Sequence, residues 1–213
     1  MSHRIIKPAA TKRGINRYTG VEIPVTKSPL KSYIDELINI DQIYNVNKFM
    51  ISTKYESYIE YPDLDKNIDR IILSIKNKLP NEIHICDLGM GLGTKLFTFA
   101  YYFKKHGITP KSDGVEINPD YIEIFNTHLK KYWDENELEI TLYNKSLLKH
   151  DVSKYDFIYL FKPLTDPVKM EEVYLQLGKN MKDGSILFDP SRKESQLGDL
   201  NLHLIDNFYL WIA

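Results

Sequence analysis

The octapeptide Asp87-Leu88-Gly89-Met90-Gly91-Leu92-Gly93-Thr94 stands between a short apolar run, Ile83-His84-Ile85-Cys86, and a long amphipathic one that begins at Lys95. Strand, glycine-rich turn and helix is the context in which such a motif carries meaning. Glycines at alternate positions let the backbone approach a ligand closely, because no Cβ intervenes. The free N–H groups at the start of the following helix then favour a negative group such as a carboxylate. A dinucleotide fingerprint reads Gly-x-Gly-x-x-Gly, and here Thr94 stands where its third glycine belongs. An acid two residues before Gly-x-Gly-x-Gly points away from NAD.

Working outward, the pattern alternates strand and helix. Strands are expected at Glu82 to Asp87, Asp113 to Ile117, Leu138 to Tyr143, Asp156 to Phe161 and Gly184 to Phe188. A helix from Thr94 to His106 is stopped by Gly107. A second is capped by Asn118 with Pro119 in its first turn, burying Ile122, Phe125 and Leu129, and a third opens at Asp166-Pro167. Upstream, Ser28 and Pro29 start a helix whose apolar face is Leu30, Tyr33, Ile34, Leu37 and Ile38, and another is expected behind Asp63 or Asp65 with Ile68, Ile71, Ile72, Ile75 and Leu79 on one side. The end differs: Asn201 to Ile205 and Phe208 to Ile212 read as two strands joined by an Asp206-Asn207 turn. The expected fold is therefore α/β, a doubly wound, mostly parallel seven-stranded sheet with helices on both faces and a C-terminal antiparallel hairpin. Ligands in such sheets bind beyond the carboxyl ends of the strands, where the winding reverses.

Composition sets outer limits. The chain has 213 residues, 43% hydrophobic and 27% charged, which describes a globular domain rather than a disordered segment. No apolar run approaches the roughly 20 residues that cross a bilayer, and Met1-Ser2-His3-Arg4 lacks a secretory core. The single cysteine, Cys86, reads as a core thiol and fits a reducing, cytoplasmic setting. Scattered histidines without Cys-x-x-Cys give no metal site. The net charge of −1 hides a basic start: seven basic residues (Arg4, Lys7, Lys12, Arg13, Arg17, Lys27, Lys31) face one acid, Glu22, before residue 32. With Pro8, Gly14, Gly20, Pro24 and Pro29 interspersed, residues 1–27 read as an irregular basic arm, residues 28–80 as flanking helices and residues 81–213 as the ligand-binding domain. Such an arm can track a phosphate backbone or be a solvated strap.

Glu116 ends the second strand, 23 positions beyond Gly93, where a carboxylate can accept two hydrogen bonds from ribose hydroxyls. Together, Asp87-Leu-Gly-Met-Gly-Leu-Gly and Gly114-Val-Glu116-Ile-Asn-Pro resemble the first motif and the acidic second-strand end of the class I, seven-stranded methyltransferases. The likeness runs from about Tyr58 to the C-terminus and includes the terminal hairpin. It implies S-adenosylmethionine (SAM) as cofactor, with Asp87, Gly89, Gly91, Gly93 and Thr94 at the methionine part and Glu116 at the ribose. Where the family often carries an acid for the adenine amine, in a pattern like Gly-Asp-Leu-Leu, this chain has Asn144-Lys145-Ser146-Leu147-Leu148, so Ser146 and Leu147 fall at the adenine. Enzymes that methylate base amines resemble Asp/Asn-Pro-Pro-Tyr after the fourth strand. Phe161-Lys162-Pro163-Leu164 offers no such acceptor, which argues against base N-methylation.

The run Tyr155 to Leu164 and the pair Tyr61-Pro62 are similar to parts of a protein-lysine methyltransferase subgroup, in which the latter segment folds over SAM. That similarity implies Tyr61 and Phe161 at the cofactor, and a protein or other amine-bearing macromolecule as methyl acceptor. An amine must lose its proton before attack, and an apolar slot lowers its pKa; Tyr58, Tyr159, Phe161 and Lys162 are the acceptor-site candidates. His150-Asp151 resembles a base with its orienter, but neighbours in a connecting loop seldom adopt that geometry. Two other readings stay open: a SAM-binding partner subunit without transfer activity, and an RNA methyltransferase that uses the basic arm.

Overall fold

A computed structural model of the chain describes residues 14–15, 22–23, 28–44, 61–161, 163–190, 203–206 and 210–212. Five parallel strands form the centre: β3 (Glu82–Leu88), β4 (Thr109–Glu116), β5 (Glu139–Asn144), β6 (Phe157–Leu160) and β7 (Ile186–Phe188), in the spatial order β5-β4-β3-β6-β7. The chain winds outward from β3 through β4 to β5, then returns to the other side of β3 as β6. The reversal therefore lies between β3 and β6, beyond whose carboxyl ends a ligand crevice is expected.

Both strand faces are apolar because both are covered. Along β3, Ile83 and Ile85 enter one cluster while Cys86 and Leu88 enter the other. Strand β6 repeats this period of two, with Phe157 and Tyr159 on one side and Ile158 and Leu160 on the other. The first face packs on α1 (Pro29–Tyr44), α2 (Tyr61–Ile75), α3 (Thr94–Lys105), α4 (Pro119–Ile124) and α5 (Lys130–Glu135); the second packs on α6 (Pro167–Asn180) through Val173, Tyr174 and Leu177. Cys86 is buried as a core thiol.

Helix starts follow the expected capping chemistry in three places. Ser28 Oγ accepts the N–H of Lys31 at 3.2 Å, Asn118 Oδ1 accepts that of Asp120 at 3.0 Å, and Asp166 Oδ1 accepts that of Val168 at 2.9 Å. The second helix corrects the expectation. It begins at Tyr61, so Asp63 and Asp65 lie inside it and cannot cap it. Pro62 suits its first turn, where a missing N–H removes no intrahelical bond. Strand β4 starts at Thr109, four residues before the expected Asp113, because Thr109 to Ser112 pair with Glu82 to Ile85 despite Pro110 and a polar composition. A π-turn, Phe125–Leu129, separates α4 from α5.

Two short segments pair in the basic arm, Gly14–Ile15 (β1) against Glu22–Ile23 (β2), where only irregular chain was expected. The remainder of residues 1–27 lies outside the described residues. Beyond β7, β9 (Leu210–Ile212) runs antiparallel to it, and β8 (His203–Asp206) is antiparallel to β9. Asp206 pairs with Leu210 and so belongs to a strand, not to the expected Asp206-Asn207 turn; residues 207–209 lie outside the described residues. No described helix is long and apolar enough to cross a membrane.

Candidate functional site

The glycine turn sits at the carboxyl end of β3, at the reversal point. Its path is held by backbone bonds: the N–H groups of Gly89 and Met90 both donate to Val115 O (2.8 and 3.1 Å), and Gly93 N donates to Met90 O (2.8 Å). Each glycine lies at positive φ, +89° at Gly89, +54° at Gly91 and +74° at Gly93, where side chains are disfavoured. Their surroundings differ. A Cβ on Gly89 would lie 2.5 Å from Pro163 Cβ, so this glycine allows the β3 and β6 ends to close on each other. A Cβ on Gly93 would meet Phe125 at 3.2 Å and the Tyr33 hydroxyl at 3.4 Å. A Cβ on Gly91 would meet nothing within 4 Å among the described residues, so of the three it is the glycine that faces open space there.

Glu116 joins that open face directly. Its Oε2 accepts the N–H of Gly91 at 2.9 Å, and its Oε1 accepts that of Asn118 at 2.8 Å. A carboxylate has about four lone-pair sites, so roughly two are left for hydroxyls arriving from the crevice. Burial to 8% exposure makes each such bond stronger than it would be in water. The neighbouring cleft is lined by Gly89, Glu116, Ile117, Ser146, Leu147 and Leu164 among others. Ser146 and Leu147 thus come to the same cleft as Glu116 and the turn. Ile117, which sequence reasoning passed over, is 67% exposed at its rim. Asn144 fixes this wall by donating from Nδ2 to the carbonyls of Glu116 (3.0 Å) and Ile117 (3.1 Å).

Asp87 is 3% exposed, and among the described residues no hydrogen bond reaches its carboxyl. Burial, reinforced by the charge on Glu116 and opposed by Lys95, raises its pKa from the ordinary 3.8 to about 8. Lys95, one residue into α3, is pushed down to about 8, mainly by burial, with Asp87 opposing. Both groups are less than fully charged at neutral pH. A ligand carrying an ammonium next to Asp87 would restore its charge. The first turn of α3 adds N–H groups without intrahelical partners, because the ladder begins with Phe97 N donating to Gly93 O. Thr94 starts that turn and is buried.

By its helical spacing Tyr33 reads as apolar lining of α1. Its ring does stack on Phe97, with centroids 4.3 Å apart, but its hydroxyl also donates to Leu92 O at 2.7 Å. This bond ties α1 to the glycine turn, and burial holds the phenol far above its ordinary range. Tyr33→Phe would leave the Leu92 carbonyl unpaired in a buried site, an expected loss of about 1–3 kcal/mol. Urea denaturation checks it; a change below about 0.5 kcal/mol, the range of an ordinary surface substitution, would mean the bond does not hold the turn.

Tyr159 lies on β6 beside Asp87 in the sheet. It is 6% exposed and packed between Phe99 and Phe188, each with ring centroids 5.7 Å away, so its ring is part of the core. Phe161 follows β6 and packs on the same cluster while half-buried. The backbone of Tyr61 opens α2; Tyr58 and Lys162 lie outside the described residues. His150 and Asp151 do not pair: Asp151 Oδ1 accepts Ser153 N, while His150 turns inward to Tyr155. Asp189, just beyond β7, is fully buried and accepts the Tyr174 hydroxyl.

No family model matches the sequence, and no curated protein matches it. Among solved structures, the fold matches a Listeria monocytogenes protein assigned to the class I SAM-dependent methyltransferases, at TM-score 0.53 and 13% identity, over 79% of this chain and 55% of that one. A looser likeness, TM-score 0.45 at 15% identity, is to an RNA methyltransferase of Salinibacter ruber solved with S-adenosylhomocysteine, over 68% of this chain and 88% of that one. Another, TM-score 0.46 at 13% identity, is to a geranyl diphosphate C-methyltransferase of Streptomyces coelicolor, over 70% of this chain and 58% of that one. The chain spans about half the length of the Listeria protein. At such identity the first match establishes the Rossmann-like α/β fold, and the looser two do not bear on the site.

Proposed function

We propose that the crevice binds S-adenosylmethionine and that this protein transfers its methyl group to an amine on a macromolecule, a protein more than a nucleic acid. The observation that carries the reading is the clamp at the reversal point, where Glu116 holds the N–H of Gly91 beside Asp87, a buried acid whose carboxyl receives no hydrogen bond from the described residues. Three chemistries meet there in the order the cofactor needs. Asp87 suits the α-ammonium of the methionine part, while Lys95 and the first turn of α3 supply positive potential for its carboxylate. The free lone pairs of Glu116 suit the ribose diol. Ser146, Leu147, Ile117 and Leu164 form a wall for a flat base. On this reading residues 81–213 make up the cofactor domain, completed by β8 and β9 as a seven-stranded sheet. Residues 28–80 flank the site, with Tyr61 beside the cofactor.

When bound, the cofactor supplies an electrophilic sulfonium methyl carbon. The chain's own task is alignment and exclusion of water, which can supply several kcal/mol without a catalytic triad. The choice of an amine on a macromolecule rests on exclusion at the β6 end. Phe161, Pro163 and Leu164 present no side-chain acceptor that would orient the amine of a nucleobase, whereas apolar surroundings favour a neutral, nucleophilic alkylamine. The outcome-defining assay offers labelled SAM to a cell lysate and digests the product separately with protease and nuclease. Label released by protease alone supports the reading, nuclease-sensitive label moves the acceptor to nucleic acid, and no transfer despite SAM binding supports a partner-subunit role.

Two binding measurements test the cofactor itself. Glu116→Gln keeps the size but halves the acceptor capacity, and is expected to weaken S-adenosylhomocysteine binding about 10- to 100-fold in isothermal titration. For Asp87, the sign follows from its raised pKa of about 8. Its carboxyl is mostly protonated in the free protein at pH 7, and a ligand ammonium favours the ionised form. Binding should then release about one proton, read as different apparent enthalpies in phosphate and Tris buffers. Asp87→Asn should abolish that difference; its persistence would remove Asp87 from the site. The same shift means that the ligand-free fold loses stability as pH rises from about 4 to about 8, because only the folded state holds that proton.

A further inference from the structure

Beneath the cleft wall, on the face covered by α6, lies a buried polar chain that the cofactor reading does not use. Ser146 and Leu147 belong to the connection between β5 and β6, outside the sheet, so something other than strand pairing must hold them. Their N-terminal side is tied by Asn144 and by Lys145 N, which donates to Glu116 O at 3.1 Å. Their C-terminal side ends in His150. The His150 N–H donates to Leu147 O at 3.1 Å, closing a short 3₁₀ turn (Leu147–Lys149), and its carbonyl accepts Gln176 Nε2 of α6 at 3.0 Å.

The ring extends the tie. His150 Nε2 lies 2.6 Å from the Tyr155 hydroxyl, which donates to Asp113 Oδ2 at 2.7 Å. Because that hydroxyl spends its proton on Asp113, the imidazole must be the donor, with hydrogen on Nε2. Lys154 Nζ donates to the same Asp113 oxygen at 2.6 Å and to the Tyr143 hydroxyl at 3.3 Å. Protons therefore all point one way, from His150 through Tyr155 to Asp113, with Lys154 balancing the charge. Asp113 stands on β4, three residues before Glu116. The chain thus joins the base-side wall to the strand that carries the ribose acid.

We propose that His150 is a positioning residue, which through Tyr155 and Asp113 holds Ser146 and Leu147 at a fixed place relative to Glu116 and so sets affinity for the nucleoside end of the ligand. This inference rests on the cofactor reading of the cleft. The imidazole is 3% exposed, and its Nδ1 is buried with no partner among the described residues. A second proton there would make a buried donor without an acceptor, next to Lys145 and Lys154, with Asp113 and Asp151 only partly offsetting them and Tyr143 and Gln176 neutral. Burial first, then the two lysines, lowers the His150 pKa from 6.5 to about 4. Since the folded value lies below the unfolded one, the stabilisation is complete above about pH 6.5 and is lost as pH falls toward 4.

Three variants test the inference: His150→Phe keeps the shape without the donor, His150→Gln returns an N–H close to the Nε2 position, and Tyr155→Phe breaks the next link. His150→Phe is expected to weaken S-adenosylhomocysteine binding about tenfold in isothermal titration, as the loss of one buried hydrogen bond implies. It should also speed amide exchange over residues 145–149 in the ligand-free protein, and His150→Gln should restore both. Exchange over these residues in the unaltered protein, corrected for its intrinsic pH dependence, should rise as pH falls from 6.5 toward 4 and stay flat in His150→Gln. A folded His150→Phe with unaltered affinity and exchange overturns the proposal. If His150→Phe does not fold, Tyr155→Phe is read by the same two criteria. If the unaltered protein binds no S-adenosylhomocysteine, the cofactor reading falls, and the exchange comparison alone decides whether His150 holds the wall.

Discussion

Gly91→Arg should abolish ligand binding while leaving most of the fold intact. Gly91 lies at φ +54° with no described residue within 4 Å of an added Cβ, and its N–H is already engaged by Glu116. A side chain at this position meets open space rather than packed protein among the described residues, and on the cofactor reading that space is where the ligand passes the turn. The left-handed backbone itself costs a non-glycine residue only about 1–2 kcal/mol. The guanidinium would crowd the ligand's path past the turn and place a cation near Glu116, the acid that on this reading receives the ribose. We expect the Kd for S-adenosylhomocysteine to rise at least ~100-fold, a loss of about 2.7 kcal/mol or more. Gly91→Ala, which carries the backbone cost without the bulk, is the control for strain. Unchanged affinity in a folded Gly91→Arg would mean that the turn does not contact the ligand, and the cofactor assignment would be wrong.

Gly89→Ala should have the opposite profile, a large loss of stability that does not depend on any ligand. Its Cβ would lie 2.5 Å from Pro163 Cβ, a ring carbon with little freedom to yield, and the residue sits at φ +89°. Left-handed strain of about 1–2 kcal/mol adds to an overpacking cost of about 1–3 kcal/mol, so a total near 3 kcal/mol is expected. For a chain of this size that lowers the melting temperature by roughly 6–12 °C. Gly114→Ala provides the comparison. Its Cβ would approach Met90 Sδ at 2.1 Å, closer still, yet the obstacle is the end of a flexible thioether and the backbone is not left-handed. It should cost less than Gly89→Ala in thermal denaturation. The reverse order would mean that the β3 and β6 ends are not closed on one another as described.

Several features that were illegible in the sequence have an identifiable cause. Strand β4 begins at Thr109-Pro110-Lys111-Ser112, a run no strand pattern would select, because its pairing partner β3 provides the ladder. Tyr33 reads as apolar lining at its helical spacing, and its hydroxyl bond to Leu92 spans 59 positions. His150 and Asp151 are neighbours in sequence but point to different partners, one buried and one at the surface. Asp63 and Asp65 have the right residue type for a cap, yet the helix starts upstream of both. For β4 and Tyr33 the deciding contact is non-local, for His150 and Asp151 it is the burial that adjacency in sequence does not reveal, and for the helix it is a boundary that pattern alone places only within a few residues.

By itself the sequence determined what short-range chemistry can dictate. Alternate glycines behind Asp87 require a left-handed turn after a strand, the caps Ser28, Asn118 and Asp166 start their helices, and short apolar runs alternating with helical patterns specify a parallel sheet covered on both faces. It also named Asp87 and Glu116 as acids worth attention, without showing how they differ. The tertiary structure decided that Glu116 spends one oxygen on Gly91 while Asp87 is buried with no hydrogen bond to its carboxyl among the described residues, and that Pro163 closes Gly89 while no described residue closes Gly91. These distinctions arise because β4 and β6 flank β3 in a particular register, and burial, pairing and desolvation of a charge depend on what non-adjacent strands bring to it.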